Sequence, residues 1–205
     1  MNFIDEAFLE VRAGNGGAGS ISFRREKFIP FGGPDGGDGG KGGDVIFKVN
    51  LNKNTLIDFR NTRVFSARNG KQGSGKNMSG AAAEDLVLDI PQGTVIYDDA
   101  SNEVILDCCE INQLYTVVKG GEGGLGNSRF KSSRNQAPRK STPGKEGEVR
   151  LIRLELKSLA DVGLVGMPNA GKSTFLNTVS SAKPKIGSYP FTTLRPHLGT
   201  IQTSD

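Results

Sequence analysis

The sequence predicts a mainly β fold with a glycine-rich component, followed by the beginning of an α/β unit. Before residue 158, short runs of apolar or β-branched residues alternate with turn residues. Within the same region, glycine recurs at every third position in several clusters. After residue 158 the pattern becomes one apolar strand, a glycine-rich turn and a helix. We therefore predict two domains, residues 1–158 and residues 159–205.

The first domain is predicted to contain strands, because no stretch in it has a convincing α-helical period of 3.6 residues. Short strands separated by Gly, Pro, Asn and Asp are typical of an all-β sandwich or barrel, and the residues leave both architectures open. The predicted strands are FLEVRA, DVIFKV, DLVLDIP, TVIYD, EVILDCC, LYTVV and VRLIRLEL.

The glycines are concentrated: of 29, 12 lie in residues 14–43, 4 in 70–80 and 5 in 120–126. In GGDGGKGGD, residues 36–44, they form two columns with a period of three. Polyproline II has three residues per turn, so each column would be a bare face that a neighbouring backbone can approach closely. We expect several such left-handed helices to pack on one another, although the composition leaves a flexible linker as an alternative.

The third column of the same stretch holds the charged residues. In a polyproline helix with two bare faces, these side chains are expected to point outward. They are Asp35, Asp38, Lys41 and Asp44.

The charge distribution is more informative than the total of +4. Two stretches, residues 60–76 and 129–145, contain basic residues and no acid. Such blocks indicate either two solvated loops or a surface that attracts phosphate groups. The basic residues are Arg60, Arg63, Arg68, Lys71 and Lys76, then Arg129, Lys131, Arg134, Arg139, Lys140 and Lys145.

Cysteine and histidine usage excludes some classes of site. Cys108 and Cys109 are adjacent, and neighbouring residues of a strand point to opposite faces, so a disulfide between them is not expected. We predict each to be a buried strand residue. With His197 as the single histidine, the spacing matches no common zinc site.

The amino-terminal sequence carries acids where a signal peptide needs bases, and no apolar run approaches the roughly 20 residues of a membrane span. We therefore expect a soluble cytoplasmic protein.

The most specific motif is Gly166–Ser173, GMPNAGKS, which fits G-x-x-x-x-G-K-[ST] in full. The strand ADVGLV, residues 160–165, is predicted before it, and the helix STFLNTVSSA, residues 173–182, after it. In this context the motif predicts a phosphate-binding loop, with residues Gly166, Met167, Pro168, Asn169, Ala170, Gly171, Lys172, Ser173 and Thr174 at the site.

The chemistry of such a loop assigns roles to its residues. Backbone N–H groups from Asn169 to Thr174 converge on phosphate oxygens at the positive end of the helix. Lys172 places its ammonium on the outer phosphates, and Ser173 offers a hydroxyl to Mg²⁺. In the following segment, KIGSYPFTTLRPHLG, Thr192 and Thr193 are candidates to contact Mg²⁺ and a γ-phosphate.

Taken together, these residues resemble the Obg family of bacterial GTPases. The resemblance covers residue 3 to about residue 200, and the glycine blocks make it far more specific than the phosphate loop alone. The stretches that carry it are FIDEAFLEVRAGNGGAGSISFRREKFIP, GGPDGGDGGKGGDV, GGEGGLGN, VGLVGMPNAGKSTFLN and YPFTTL.

The resemblance implies a β-barrel joined to a bundle of glycine-rich left-handed helices, then a Ras-like GTPase domain. It further implies GTP hydrolysis with Mg²⁺, action at the large ribosomal subunit in assembly and growth or stress control, and a monomer. Carried over by motif, Lys172 and Thr193 serve catalysis, and Ser173 and Thr193 hold Mg²⁺. The first switch consists of Phe191, Thr192, Thr193, Leu194 and Arg195.

One part of the family pattern is missing. A GTPase domain has D-x-x-G after the first switch and N-K-x-D for the guanine, yet Asp205 is the only acid after Ser173. About 45 residues are also too few for a doubly wound sheet. We expect that the 205 residues end inside the nucleotide domain and have no turnover by themselves. The alternative function for this piece is a non-catalytic ribosome- or RNA-docking module.

Overall fold

The structure, a computed structural model, describes residues 5–26, 32–111, 113–157, 163–167 and 170–180. The chain divides into two compact units, Ile4–Lys157 and the part from Ser158 onward. None of the helices in the described part of the chain has the length and apolar character that crossing a bilayer requires.

Eight strands of the first unit form two sheets, and the larger one has the order β3-β1-β8-β5-β6. Its centre is the antiparallel pair β1–β8, while β3 joins β1 in parallel. The strands are β1 Glu6–Arg12, β2 Val45–Val49, β3 Val64–Ser66, β4 Leu86–Ile90, β5 Thr94–Asp98, β6 Val104–Cys108, β7 Leu114–Val118 and β8 Val149–Leu156.

The smaller sheet has the order β4-β2-β7, and the two sheets share one hydrophobic core. Alternation of apolar and polar residues places Leu9, Phe47 and Leu154 in that core, with at most 2 % exposure each. Phe59, from the short helix α1 (Asp58–Asn61), fits edge-on between the rings of Phe47 and Phe65.

The predicted barrel closure is wrong. In the described residues no ladder of hydrogen bonds joins the two sheets, so each keeps its edge strands. A barrel requires every edge to be paired. Here the edge strand β3 has only three residues and cannot carry a closing ladder.

All seven strands predicted in the first domain are present, because each is a short run of alternating or β-branched apolar residues bounded by turn residues. The sequence reasoning missed β3 and α1, since three or four residues are too few to display a period.

The strand predicted at residues 160–165 is not formed in its described portion. Residues 163–165 have no regular structure, and Val165 is 98 % exposed. An apolar run becomes a strand when a partner strand pairs with it, and the described residues supply none. The helix predicted after the loop is present as α2, Lys172–Val179, and starts one residue earlier than expected.

The two cysteines differ in environment. Cys108 ends β6 and is fully buried, as predicted, and burial raises the pKa of its thiol to about 12. Cys109 is exposed rather than buried, which corrects the prediction for that residue. It lies just beyond the strand, where its thiol contacts Asp107. Both thiols are free, consistent with opposite orientations of neighbouring residues.

Six segments without regular secondary structure extend from the sheets and pack side by side. Each continues directly from a strand or leads directly into one, so their near ends lie at the sheets. The segments are residues 13–20, 36–43, 67–75, 78–84, 120–126 and 142–148.

Backbone hydrogen bonds join these segments, with residues 36–43 at the centre. Gly40 donates to the carbonyl of Lys71 at 2.8 Å, and Gly39 donates to that of Gly124 at 2.7 Å. Gly17 donates to Gly40 at 2.8 Å, and Gly80 donates to Asp38 at 2.8 Å. The central segment therefore bonds to four neighbours, which excludes a flexible linker in this part of the chain.

The close approach of backbones predicted from the two glycine columns is confirmed. A Cβ atom built on Gly36, Gly39 or Gly42 would overlap a carbonyl of segment 13–20. One built on the second column, Gly37, Gly40 and Gly43, would overlap a carbonyl of segment 78–84. Each column of glycines, with its period of three, therefore lies against one neighbouring segment.

The outward orientation predicted for the third column is wrong for its aspartates. Asp35 is buried, and Asp38 and Asp44 accept hydrogen bonds from the N–H groups of Gly126 at 2.8 Å and Gly120 at 2.7 Å. Because neighbours surround the central segment, their N–H groups need acceptors, and carboxylates supply them. Only Lys41 is exposed as expected.

Candidate functional site

The glycine–lysine loop turns directly into α2 at Gly171. This residue has φ 80° and ψ 8°, the left-handed conformation that glycine adopts without steric cost. The first helical hydrogen bond runs from the N–H of Phe175 to the carbonyl of Gly171, at 2.9 Å. The turn therefore brings the amino-terminal end of α2 to the loop.

Lys172 lies in the first turn of α2 and folds back over the loop. Its Nζ donates hydrogen bonds to the carbonyl oxygens of Gly166 and Met167, both at 2.6 Å. An ammonium in this place adds a full positive charge to the partial charge of the helix terminus. This arrangement suits an anion such as phosphate.

A cavity of about 300 Å³ adjoins the same turn. Its lining combines the ammonium of Lys172 and the backbone of Gly171 with the apolar side chains of Leu164 and Phe175. This volume is at the lower end of the range of ligand pockets, about 300–1,000 Å³.

Of the predicted loop residues, the structure brings Gly166, Met167, Ala170, Gly171 and Lys172 together at this turn. Ser173 and Thr174 follow within the first turn of α2. The described residues contain no cluster of three His, Cys, Asp or Glu side chains for a metal ion. Predicted site residues outside the described part of the chain are Pro168, Asn169, Phe191, Thr192, Thr193, Leu194 and Arg195.

In the other unit, the far ends of the six segments form a basic tip. We define the tip as residues 20–26, 32–38, 74–78 and 127–141. These residues include eight basic and three acidic side chains, a formal charge of +5 against +4 for the whole chain. The basic ones, all exposed, are Arg24, Arg25, Lys76, Arg129, Lys131, Arg134, Arg139 and Lys140.

The first basic stretch, residues 60–76, is not one surface loop. Arg60 belongs to α1 and Arg63 precedes β3, so both lie at the sheets, whereas Lys76 reaches the tip. The stretch includes a helix, a strand and a bundle segment, which its composition did not reveal. In the second stretch, Lys145 pairs with Glu122 at 2.7 Å.

Asn127 joins the parts of the tip and is fully buried. Its Oδ1 accepts hydrogen bonds from the N–H groups of Gly36 at 2.8 Å and Ser22 at 3.4 Å. Its Nδ2 donates to the carbonyls of Ser22 at 2.9 Å and Pro138 at 3.1 Å. The basic loop is thereby fixed to the bundle. Sequence reasoning missed this residue, whose one signal is an amide directly after GGEGGLG.

The turn that carries Lys76 is held by Asp35. Lys76 and the following Asn77 have φ of 58° and 57°, a conformation unfavourable for residues with side chains. Asp35 stabilises it by accepting hydrogen bonds from both, through Oδ2 at 3.1 Å and the backbone carbonyl at 2.7 Å.

Comparison with known proteins supplies two family matches. The GTP1/OBG family model matches residues 4–158, and a family described as 50S ribosome-binding GTPase matches residues 161–205. The chain is 58 % identical to a GTPase Obg of Magnetococcus marinus over 202 residues, 98 % of the chain and 52 % of that relative. It is also 58 % identical to a GTPase Obg of a Psychrobacter species over 201 residues, 98 % of the chain and 50 % of that relative. The chain thus spans about half the length of the curated relatives it matches.

Proposed function

Because the chain belongs to the GTP1/OBG family, we propose that it is a GTP-binding protein that hydrolyses GTP with Mg²⁺ and acts at the large ribosomal subunit. The observation that carries this proposal is the loop at the start of α2, where the ammonium of Lys172 lies over the carbonyls of Gly166 and Met167. The family match over residues 161–205 supports it independently.

In this proposal, Gly166–Ser173 bind the nucleotide phosphates through backbone N–H groups, and Thr174 contributes from the next position. Lys172 exchanges its hydrogen bonds to the loop carbonyls for phosphate oxygens. The ammonium and the loop amides then stabilise the negative charge of the transferring phosphoryl group while a water attacks.

The residues present fit Mg²⁺. This ion takes one or two protein oxygens and completes its shell with water and substrate phosphates, so it does not need a carboxylate cluster. Ser173, in the first turn of α2, would be one protein ligand, and Thr193 the other. When bound, the ion would supply charge neutralisation at the outer phosphates. Phe191 to Arg195 would form the switch that responds to the γ-phosphate.

Competition between nucleotides tests the proposed ligand. A fluorescent GDP analogue is bound to a protein of the relatives' full length, and unlabelled GTP, GDP and ATP are added. We expect both guanine nucleotides to displace the analogue and ATP to fail, with affinity for GTP reduced when Mg²⁺ is removed by chelation. Equal displacement by ATP would contradict the assignment to guanine nucleotides.

For the architecture we propose that residues 1–158 form the family's amino-terminal domain and residues 159–205 the beginning of its nucleotide domain. The boundary between the two compact units supports this division. We further propose that the six packed segments are left-handed polyproline II helices. Their period-three glycine contacts support that geometry.

The tip is the part proposed to dock on the ribosome of the cytoplasm, with the protein acting as a monomer. A formal charge of +5 on exposed arginine and lysine side chains favours RNA phosphates. A rigid tip fits RNA helices, which are recognised mostly through shape and backbone. As a second candidate, the first unit is a docking module without turnover. This alternative is favoured by the described hydrogen bonds of the tip, which join residues of that unit to one another.

Co-sedimentation with large ribosomal subunits across a salt series tests docking. We expect binding to weaken steadily as salt rises, because each phosphate contact releases a counterion. Loss of one tip charge through Arg134→Gln should reduce the slope of log affinity against log salt by about one. Binding that is insensitive to salt would instead indicate a protein-interaction role for the bundle.

A further inference from the structure

The tip contains a polar notch where three parts of the bundle meet. Its volume is about 300 Å³, at the lower end of the range of ligand pockets. The residues that line it are Gly37, Asp38, Asn77, Ser79, Ser128 and Arg129.

The notch presents an acceptor and a donor side by side. The Nε of Arg129 donates to the Oδ2 of Asp38 at 2.9 Å, which uses one of the five N–H groups of the guanidinium. Asp38 Oδ1 accepts from the N–H of Gly126 at 2.8 Å. Each carboxylate oxygen has two acceptor sites, so Asp38 retains capacity for a further donor.

The position of these two side chains is fixed by the bundle. Asp38 belongs to the central segment, and its side chain is only 20 % exposed, whereas that of Arg129 is 66 % exposed. Ser128 donates its hydroxyl to the carbonyl of Gly36 at 2.6 Å, which holds the adjoining backbone. A carboxylate at the base and a guanidinium at the rim are therefore preorganised.

We propose that this notch holds one ribose-phosphate unit of an RNA partner, an inference that rests on the proposed docking of the tip. Arg129 contacts the phosphate, for which a guanidinium is well suited. Asp38 accepts a hydrogen bond from the ribose 2′-hydroxyl, the group that distinguishes RNA from DNA. The lining is mostly polar, which favours a sugar-phosphate over an apolar protein side chain.

The experiment compares a fluorescent uridine oligonucleotide with its 2′-deoxyuridine counterpart of equal length, which has the same base and the same charge. Fluorescence anisotropy at low salt gives both affinities. We expect the unmodified protein to bind the uridine form about 3- to 10-fold tighter, the effect of one added hydrogen bond. General electrostatic attraction cannot produce this ratio, because both probes carry the same phosphates.

Asp38→Asn should bring the ratio of affinities toward one, although removing a negative charge strengthens general attraction to both probes. Ser79→Phe, at an exposed position of the lining, should also bring the ratio toward one, because the phenyl ring fills the notch. This second variant keeps Asp38 and its hydrogen bond from Gly126, so it tests the notch even if Asp38→Asn does not fold. The matched control Arg134→Gln lies elsewhere on the tip and should weaken both probes equally.

A ratio of one in the unmodified protein, or a ratio that both notch variants leave unchanged, would overturn the notch proposal. Failure of both oligonucleotides to bind, or of the uridine form alone, would overturn it too. Either result would leave tip docking intact as long as co-sedimentation with the large subunit remains salt-dependent. Loss of that co-sedimentation would overturn the docking proposal itself.

Discussion

Gly39→Ala is expected to lower the free energy of unfolding of the unit Ile4–Lys157 by about 3 kcal/mol or more. The added Cβ would overlap the backbone carbonyl of Gly17, which is a rigid neighbour and not the flexible end of a side chain. Moving either segment would break adjoining hydrogen bonds, Gly39 to Gly124 at 2.7 Å and Gly17 to Gly40 at 2.8 Å. Since the whole stability of a domain is about 5–15 kcal/mol, this loss is a large part of it.

Gly33→Ala provides the matched control, because it makes the same chemical change at the edge of the bundle. A Cβ there would have as its nearest neighbour the Nζ of Lys131 at 3.7 Å, an ordinary contact. We expect stability within about 0.5 kcal/mol of the original, the usual range for surface substitutions. Urea denaturation followed by circular dichroism measures both variants, and equal stabilities would refute the packing argument.

Lys172→Ala is expected to reduce GTP hydrolysis by the full-length protein on the order of 100-fold or more, the usual effect of removing one preorganised charged or donor group from a reaction site. The structure places this ammonium at the turn from the loop into α2, within 2.6 Å of two loop carbonyls. The substitution replaces the ammonium by a methyl group, and no other described side chain that lines the cavity carries a charge.

Single-turnover hydrolysis and binding of GTP measure this variant. Lys119→Ala, at an exposed lysine in the other unit, removes a charge of the same kind and should leave both quantities unchanged. Lys172→Ala should keep ribosome docking, because the unit Ile4–Lys157 does not contain residue 172. Lys119→Ala should keep it as well, because residue 119 lies outside the tip. Hydrolysis that survives the loss of Lys172 would show that the glycine–lysine loop is not the phosphate site.

Local sequence patterns were sufficient to predict a structural element wherever the type of a residue indicates what packs against it. Alternating residues such as Leu9 and Val11 predicted core strands because burial on one face requires a period of two. The glycine columns predicted close backbone contacts because few other roles require bare faces at a fixed spacing. Even the cavity at α2 could be anticipated, since Gly171 and Lys172 occupy motif positions with known geometry.

Predictions failed where a residue's role depends on a distant segment. Asp38 was predicted to face solvent, yet Gly126, 88 positions away, donates to it. Asn127 was not singled out, although its amide bonds to Ser22 and Gly36, more than 90 positions earlier. The strand at 163–165 was expected from its apolar residues alone, and without a partner in the described residues it is not formed.

The sequence by itself determined the list of parts: seven strands, a set of glycine segments with a period of three, and a glycine–lysine loop at the start of a helix. Only the tertiary structure decided that the strands make two open sheets, and that the basic stretch at residues 60–76 runs from the sheets to the tip. Periodicity records which face of a segment is covered or bare. It does not record which neighbour covers that face, because that choice depends on the hydrogen bonds and packing of the whole chain at once.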